Sequence, residues 1–391
     1  MRKKIIKLAT VLLLITAVSP LFANEMSAVW SRIYNTTNNL EAKLAVMRNI
    51  IDLHDRNMAP VITEALKEVL YARDDSMSFT EKKMLDDLSG MMIKELGNLR
   101  AVDAAPEIYK VMNETDDDFL RTKAIVSLGS AGARDYADEI AGLLNYINLD
   151  ITGFDSNEKR KSVLDACIMA LERLKHPVGF KPVFYASIGR YARDTVKKAE
   201  RALRNMVEDP TDLIIEIIMD DTTFETRLAA LEVEERSGAA PDRMTEAATA
   251  AIETGLKYNA ANPSERQYQM RTRIKACEMI RDLGQASPDA VEWLALMLDR
   301  GENINELIIC LQALGTYSSD EAVAVLSDYL VENNERRASG IQYKDERLIR
   351  ECINALANSG NPKARNALMM VEYTNWSNQT IRMAKNALNN L

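Results

Sequence analysis

The residues in this 391-residue sequence whose types could carry chemistry are two histidines, four cysteines, two aspartate-rich turns and one strongly cationic stretch. His54 and His176 lie 122 positions apart. Metal or triad chemistry needs a second ligand or partner at short helical spacing, and neither histidine has one in sequence. His54 stands beside Asp55 and Arg56 and His176 precedes Pro177, so both read as helix-end residues. Asp116 to Asp118 and Asp220-Asp221 lack the alternating ligands and the glycine of a calcium loop. They read as carboxylates that accept hydrogen bonds from the free amides at helix starts. There is no glycine-rich phosphate loop, nucleophile elbow or zinc motif. The expectation is therefore no catalytic residue, no metal and no cofactor.

The cationic stretch differs from its surroundings. Between Glu158 and Arg204, 12 Lys or Arg face 5 Asp or Glu, a local charge of +7. Arg190, Arg193, Lys197, Arg201 and Arg204 are spaced 3, 4, 4 and 3, which places them on one face of a helix. Ala192, Val196, Ala199 and Leu203 form an apolar face beside it. Tyr191, Phe180, Phe184 and Tyr185 are close in sequence. Such a face grips an anionic partner, an acidic protein segment or a cell-envelope polymer, unless Glu172, Asp194 and Glu200 neutralise it. The candidate partner-binding residues are Arg190, Tyr191, Arg193, Lys197, Arg201 and Arg204.

The elements that must hold this face repeat along the chain. Taking Leu128 as an anchor, Ala124 stands four places before it. Anchors at Leu171, Leu203, Ile280, Leu314, Leu356 and Leu388 have Cys167, Ala199, Ala276, Cys310, Cys352 and Ala384 in that slot. Every occupant is small. The residue just before the anchor is Ser127, Ala170, Ala202, Ala313, Ala355 or Ala387, with Met279 as the exception. Small side chains at these positions let packed helix pairs approach closely. If Glu234 is counted as a departing anchor, the spacings run 43, 32, 31, 46, 34, 42 and 32. The three long ones predict loop insertions at Asn145 to Asn157, Lys257 to Gln267 and Glu332 to Asp345, and in repeat proteins such insertions often carry binding.

The same ladder decides how the cysteines read. Cys167, Cys310 and Cys352 fill the slot that Ala holds elsewhere and Cys277 adjoins it, so they are expected as four free, buried thiols acting as small apolar residues. Stacked helices lie about 8 to 10 Å apart, beyond disulfide reach.

Bulk properties agree with a helical repeat chain. Apolar residues make up 47% and charged residues 27%, with only 15 Gly and 10 Pro. Arg2, Lys3, Lys4 and Lys7 precede an apolar run from Leu8 to Val18, and Ala23 suits a cleavage site, so residues 1–23 read as a secretory signal and the protein as periplasmic or secreted. Loss of those four cations takes the formal charge from −9 to −13, which disfavours nucleic acid and anionic lipid as general partners. No later stretch reaches the 18 apolar residues or so of a membrane span. The expected organisation is a signal at 1–23, an N-terminal helical cap at 24–77 and a repeat array at 78–391.

Arg121-x-x-Ala124 with Leu128-Gly129, Arg227-x-x-Ala230, Arg273-x-x-Ala276, Leu314-Gly315 and the Ala or Cys ladder carry a family resemblance. The chain resembles HEAT-repeat proteins, more closely the short HEAT-like class first associated with phycobilisome lyases, over roughly Ser78 to Leu391. The resemblance implies an all-α superhelix of antiparallel helix pairs, right-handed, with the second helix of each pair on the concave side and a scaffolding or adaptor role. Leu164, Val196, Leu307, Ile349 and Ile381 replace the repeat arginine. The expected function is a non-catalytic, protein-binding scaffold of the cell envelope, with the basic helix as anchor. The alternatives are a lyase-like modifying enzyme and a purely structural spacer.

Overall fold

The computed structural model describes residues 25–391 except 73, 75, 150–157, 221–222, 285, 302 and 342–344. The expected signal at 1–23 lies outside the described residues, as do Asp221 and most of the segment that ends at Asn157. The described elements are α-helices and short 3-10 turns, and they divide into two compact units, with the chain boundary between Val207 and Glu208.

Unit 1 contains α1 (25–36), α2 (Leu40–Asp52), α3 (Ala59–Ala72), α4 (Phe79–Asn98), α5 (Ala105–Glu114), α6 (Asp118–Ala131), α7 (Ala137–Leu149), α8 (Glu158–Leu174), α9 (Phe180–Ile188) and α10 (Arg193–Met206). Between α1 and α2 the chain breaks at 37–39, and the Asn39 side chain caps α2. Successive helices pair, α3 with α4, α5 with α6, α7 with α8 and α9 with α10. The even-numbered helices from α4 to α10 stack in one layer, and α3, α5, α7 and α9 lie in the other. Unit 2 repeats the plan. Here α11 (Thr211–Asp220), α13 (Pro241–Lys257), α15 (Ala290–Arg300), α17 (Asp320–Ala338) and α19 (Arg365–Glu372) form one layer. The other layer holds α12 (Phe224–Glu234), α14 (Pro263–Leu283), α16 (Ile304–Leu314), α18 (Glu346–Ser359) and α20 (Asn378–Asn390). Each unit is thus an all-α, two-layer solenoid segment.

The small-residue ladder is the seam of the even layer. All seven occupants of the slot are buried, and so are the anchors except Leu388, which is half-buried on α20. The closest backbone approach lies one turn beyond the slot, where the glycine after an anchor meets the small residue before the next anchor. A Cβ at Gly97 would stand 2.9 Å from Ser127 Cα, at Gly129 2.6 Å from Ala170 Cα, and at Gly315 2.7 Å from Ala355 Cα. These separations admit hydrogen only, which explains Leu-Gly at the anchor.

The repeat arginine has a different duty. Arg121 donates from Nε to Met112 O (3.2 Å) and from Nη2 to Thr115 O, while Arg227 donates from Nε to Ile218 O (2.8 Å). In both units an arginine on the second helix satisfies the free carbonyls at the C-terminus of the first. Arg273 does the same for Gly255 O at 2.7 Å.

Helix starts follow the expected chemistry in part. Ser78 and Glu81 form a capping box and Asp117 accepts from Phe119 N at 2.9 Å. Asp220 ends α11 rather than capping α12, whose cap is Thr223. The expected insertions are in part helical where they are described. α13 runs to Lys257 and α14 starts at Pro263, leaving only five residues between them, and α17 continues to Ala338. The extra residues lengthen helices by a turn or more. In the first insertion α7 continues to Leu149.

Candidate functional site

α10 is short on caps, since Ala192 offers no side-chain hydrogen bond to its first turn. Its termini are complemented electrostatically instead, with Asp194 in the first turn and Arg204 in the last. Thr195, Ala199, Ala202, Leu203 and Met206 are its buried residues. Ala192 is exposed and Val196 half-buried, so the buried face lies one position round from the expected one.

The helix begins at Arg193, which removes Arg190 from the row of cations and leaves it exposed in the preceding bend. Tyr191 stitches that bend to α7, donating its hydroxyl to Asn148 Oδ1 at 2.9 Å. Its ring lies where a Cβ on Gly189 would come within 2.8 Å. Phe180 and Phe184 are core residues with no exposed surface. Phe180 and Phe184 therefore belong to the core and do not line the surface of the basic helix.

The cations divide into two sets. One is consumed by the neighbouring helix: Lys161 pairs with Asp194 at 2.8 Å, Lys198 with Asp165 and, at 3.8 Å, with Asp194, and Arg201 grips Glu172 through Nε (3.2 Å) and Nη2 (3.0 Å). Asn205 adds a hydrogen bond to Glu172 at 2.7 Å. Partial burial pushes the Glu172 carboxyl up, but the hydrogen bonds from Arg201 and Asn205 and the charges of Arg201 and Arg173 outweigh it and hold it below the usual carboxylate range. The hydrogen bond from Lys161 does the same for Asp194.

The second set is Arg193, Lys197 and Arg204. All three are exposed, and no carboxylate among the described residues pairs with them. At about 100° per residue they fall within an arc of about 40°, opposite the buried face. Lys197 stands about 6 Å along the axis from Arg193, and Arg204 about 10 Å from Lys197. Only half-buried Glu200 shares this face. Of the six expected binding residues, the structure thus brings Arg193, Lys197 and Arg204 together outward, turns Arg201 into an ion pair, and places Arg190 and Tyr191 in the preceding bend. The partners across 29 to 33 residues have no sequence signal, because they come from a neighbouring helix.

Unit 2 holds a cleft of about 600 Å3 at the start of α14 and α16, lined by Asn262, Arg266, Met270, Arg273, Asn303 and Glu306 among others. It adjoins the expected insertion at Lys257 to Gln267. Glu306 is 1% exposed and accepts from Arg273 Nε. Sequence reasoning missed this pair; the only signal was that an acidic residue recurs near the start of α16. A second buried carboxylate is Glu234, with 0% exposure. Its Oε1 accepts from Thr211 Oγ1 at 2.7 Å and its Oε2 has no partner. Burial pushes this carboxyl up, with Asp209 adding to the shift against the hydrogen bond from Thr211 and the charge of Arg243.

The histidines occupy helix ends. His54 follows α2 in the left-handed region at φ 47° and its Nδ1 lies 3.2 Å from Glu95 Oε1, while His176 accepts from Val178 N at 3.4 Å. All four cysteines are buried and free. Among the described residues no three His, Cys, Asp or Glu side chains converge as a metal shell, and no helix is long and apolar enough to cross a membrane.

No family model matches the chain, and no curated protein matches it. Among solved structures it is similar to an engineered protein determined by the Northeast Structural Genomics Consortium, at 16% identity and a TM-score of 0.38 over 92% of this chain and 98% of that one. A structure from work on a phosphorylation switch between cadherin and beta-catenin aligns at 11% identity and a TM-score of 0.35, over 94% of this chain and 91% of that one. A second engineered protein aligns at 15% identity and a TM-score of 0.26, over 76% of this chain and 96% of that one.

Proposed function

We propose that this protein is an exported, HEAT-like scaffold that works by binding, and that its partner is an acidic protein segment anchored on the outward face of α10. The observation that carries the reading is the row Arg193, Lys197 and Arg204, exposed and unpaired beside a set of cations that carboxylates have already neutralised. A chain with a formal charge of −9 that keeps three cations outward and free on one helix face concentrates positive potential there. The axial gaps of about 6 and 10 Å match carboxylates two and three residues apart on an extended chain, at about 3.3 Å per residue. The N-terminal charge and apolar pattern supports export, and the two-layer helix pairs with arginine-capped first helices support the HEAT-like reading.

Fluorescence anisotropy with a labelled Asp/Glu-rich peptide tests this. Binding should weaken steeply between low and physiological salt and fall at least tenfold on reversing Arg193, Lys197 and Arg204 to Glu. Unchanged binding by the reversed variant would overturn the anchor. Tight binding of an anionic polysaccharide in place of the peptide would overturn the choice of a protein partner.

A further inference from the structure

The Arg273–Glu306 pair in the wall of the unit 2 cleft has a second layer beneath it. Arg273 is on α14 and Glu306 on α16, and four residues further along each helix stand Cys277 and Cys310. Four residues advance a helix by about 6 Å with nearly the same facing, so the two thiols approach each other across the same pair of helices as the ion pair does. Both are fully buried. α14 and α16 are packed neighbours in one layer. Cys277 Sγ also lies 3.3 Å from the thioether sulfur of Met297 on α15, itself 0% exposed. Cys310 Sγ donates to Leu294 O, one turn before Met297, at 3.1 Å. The sulfurs of Cys277 and Met297 thus touch, the Cys310 thiol bonds to the backbone one turn from Met297, and all three residues are fully buried. Half-buried Met270 lines the cleft with Arg273 and Glu306, so the cleft reaches the ion pair from solvent.

We propose that Cys277, Cys310 and Met297 form a binding site for a soft monovalent cation, copper(I), entered through the cleft above them. Thiolate and thioether ligands select copper(I) over hard divalent ions, which prefer oxygen. The apolar surroundings exclude water from the ion. Each thiol that ligates forms a sulfur–copper bond and releases its proton to solvent. Copper(I) with both thiolates carries one negative charge, and Arg273, four residues before Cys277 on α14, is the cation one turn away. Because copper competes with the thiol protons, affinity rises with pH. The other two cysteines differ: Cys352 donates only to Leu326 O, at 3.2 Å, and neither it nor Cys167 has a sulfur contact of this kind among the described residues.

The test titrates the reduced, full-length protein with copper(I) against a coloured copper(I) chelator, once on the native protein and once after refolding with the metal present. One copper(I) per chain is expected. Cys277→Ala with Cys310→Ala should lose at least 100-fold in affinity. Met297→Leu, which conserves volume, should lose at least tenfold, and Cys167→Ala with Cys352→Ala should match the wild type. Absence of stoichiometric copper under both protocols overturns the site, and so does an undiminished affinity in the Cys277/Cys310 variant. Equal loss in the Cys167/Cys352 variant, or zinc(II) held as tightly as copper(I), does the same. If the double alanine variant fails to fold by circular dichroism, Met297→Leu and Cys310→Ala alone decide. The site lies wholly in unit 2 and stands or falls independently of the role of α10.

Discussion

Glu234 and Gly129 show how single positions set stability in this chain. Glu234 occupies a position that the repeat gives to Leu or Ile, and its second carboxylate oxygen is buried without a partner. Its folded pKa is raised by burial, so over the window between the usual carboxylate value and the folded value the native state holds a proton that the unfolded state has released. Stability therefore falls as pH rises through that window and stays lower above it. Glu234→Gln keeps the acceptor for Thr211 and removes the charge. Urea unfolding should show the variant more stable at neutral pH by about 1–3 kcal/mol, the scale of an unsatisfied buried group, with the difference vanishing in acid. A variant less stable at pH 7 would contradict this. At Gly129 a methyl group would enter the backbone of α8, so Gly129→Ala should cost about 1–3 kcal/mol. Gly142 is exposed within α7 with nothing near its absent Cβ, and Gly142→Ala should stabilise by about 0.5–1 kcal/mol. The reverse order in denaturant midpoints would show that the seam is looser than described.

The links between helix pairs share a device that the sequence conceals. After α2, α4, α6, α8 and α18 the chain passes through a left-handed residue, His54, Arg100, Gly132, Lys175 or Gly360, and then makes a 3-10 turn. Only two of the five are glycine, so no residue pattern marks the turn. The strain at φ 52° and 50° predicts that Arg100→Gly and Lys175→Gly each stabilise unit 1 by about 1 kcal/mol, read from thermal midpoints; a loss of that size would mean their side chains contribute more than the backbone strain costs. What was legible in the sequence was whatever is local to one helix: the small slot, the anchor and the turn aspartate at 117. The extension of α14 was half legible, since Asn262-Pro263 is a helix-start signature. The loss of Arg190 from the cationic row was not, because the 3, 4, 4, 3 spacing runs on through a bend that Gly189 and the Tyr191 contact to Asn148 create.

For the molecule as a whole, the proposed function turns on which charges remain available after folding. The sequence shows a cluster of cations with a net +7 but not its division, because Asp165 and Glu172 reach α10 from the neighbouring helix α8. Folding neutralises Lys161, Lys198 and Arg201 and leaves Arg193, Lys197 and Arg204 facing outward. Paired and exposed cations of this kind contribute little to stability, about 0–1 kcal/mol each, so their value lies in what they present. Matched neutralisation separates the two sets. In one variant Arg193, Lys197 and Arg204 become Gln; in the other Lys161, Lys198 and Arg201 do. Affinity for an Asp/Glu-rich peptide at low salt should fall at least tenfold in the first, with its melting temperature unchanged, and stay within about threefold of wild type in the second. Equal losses in both variants, or a larger loss in the second, would contradict the assignment of the outward row of α10 as the anchor.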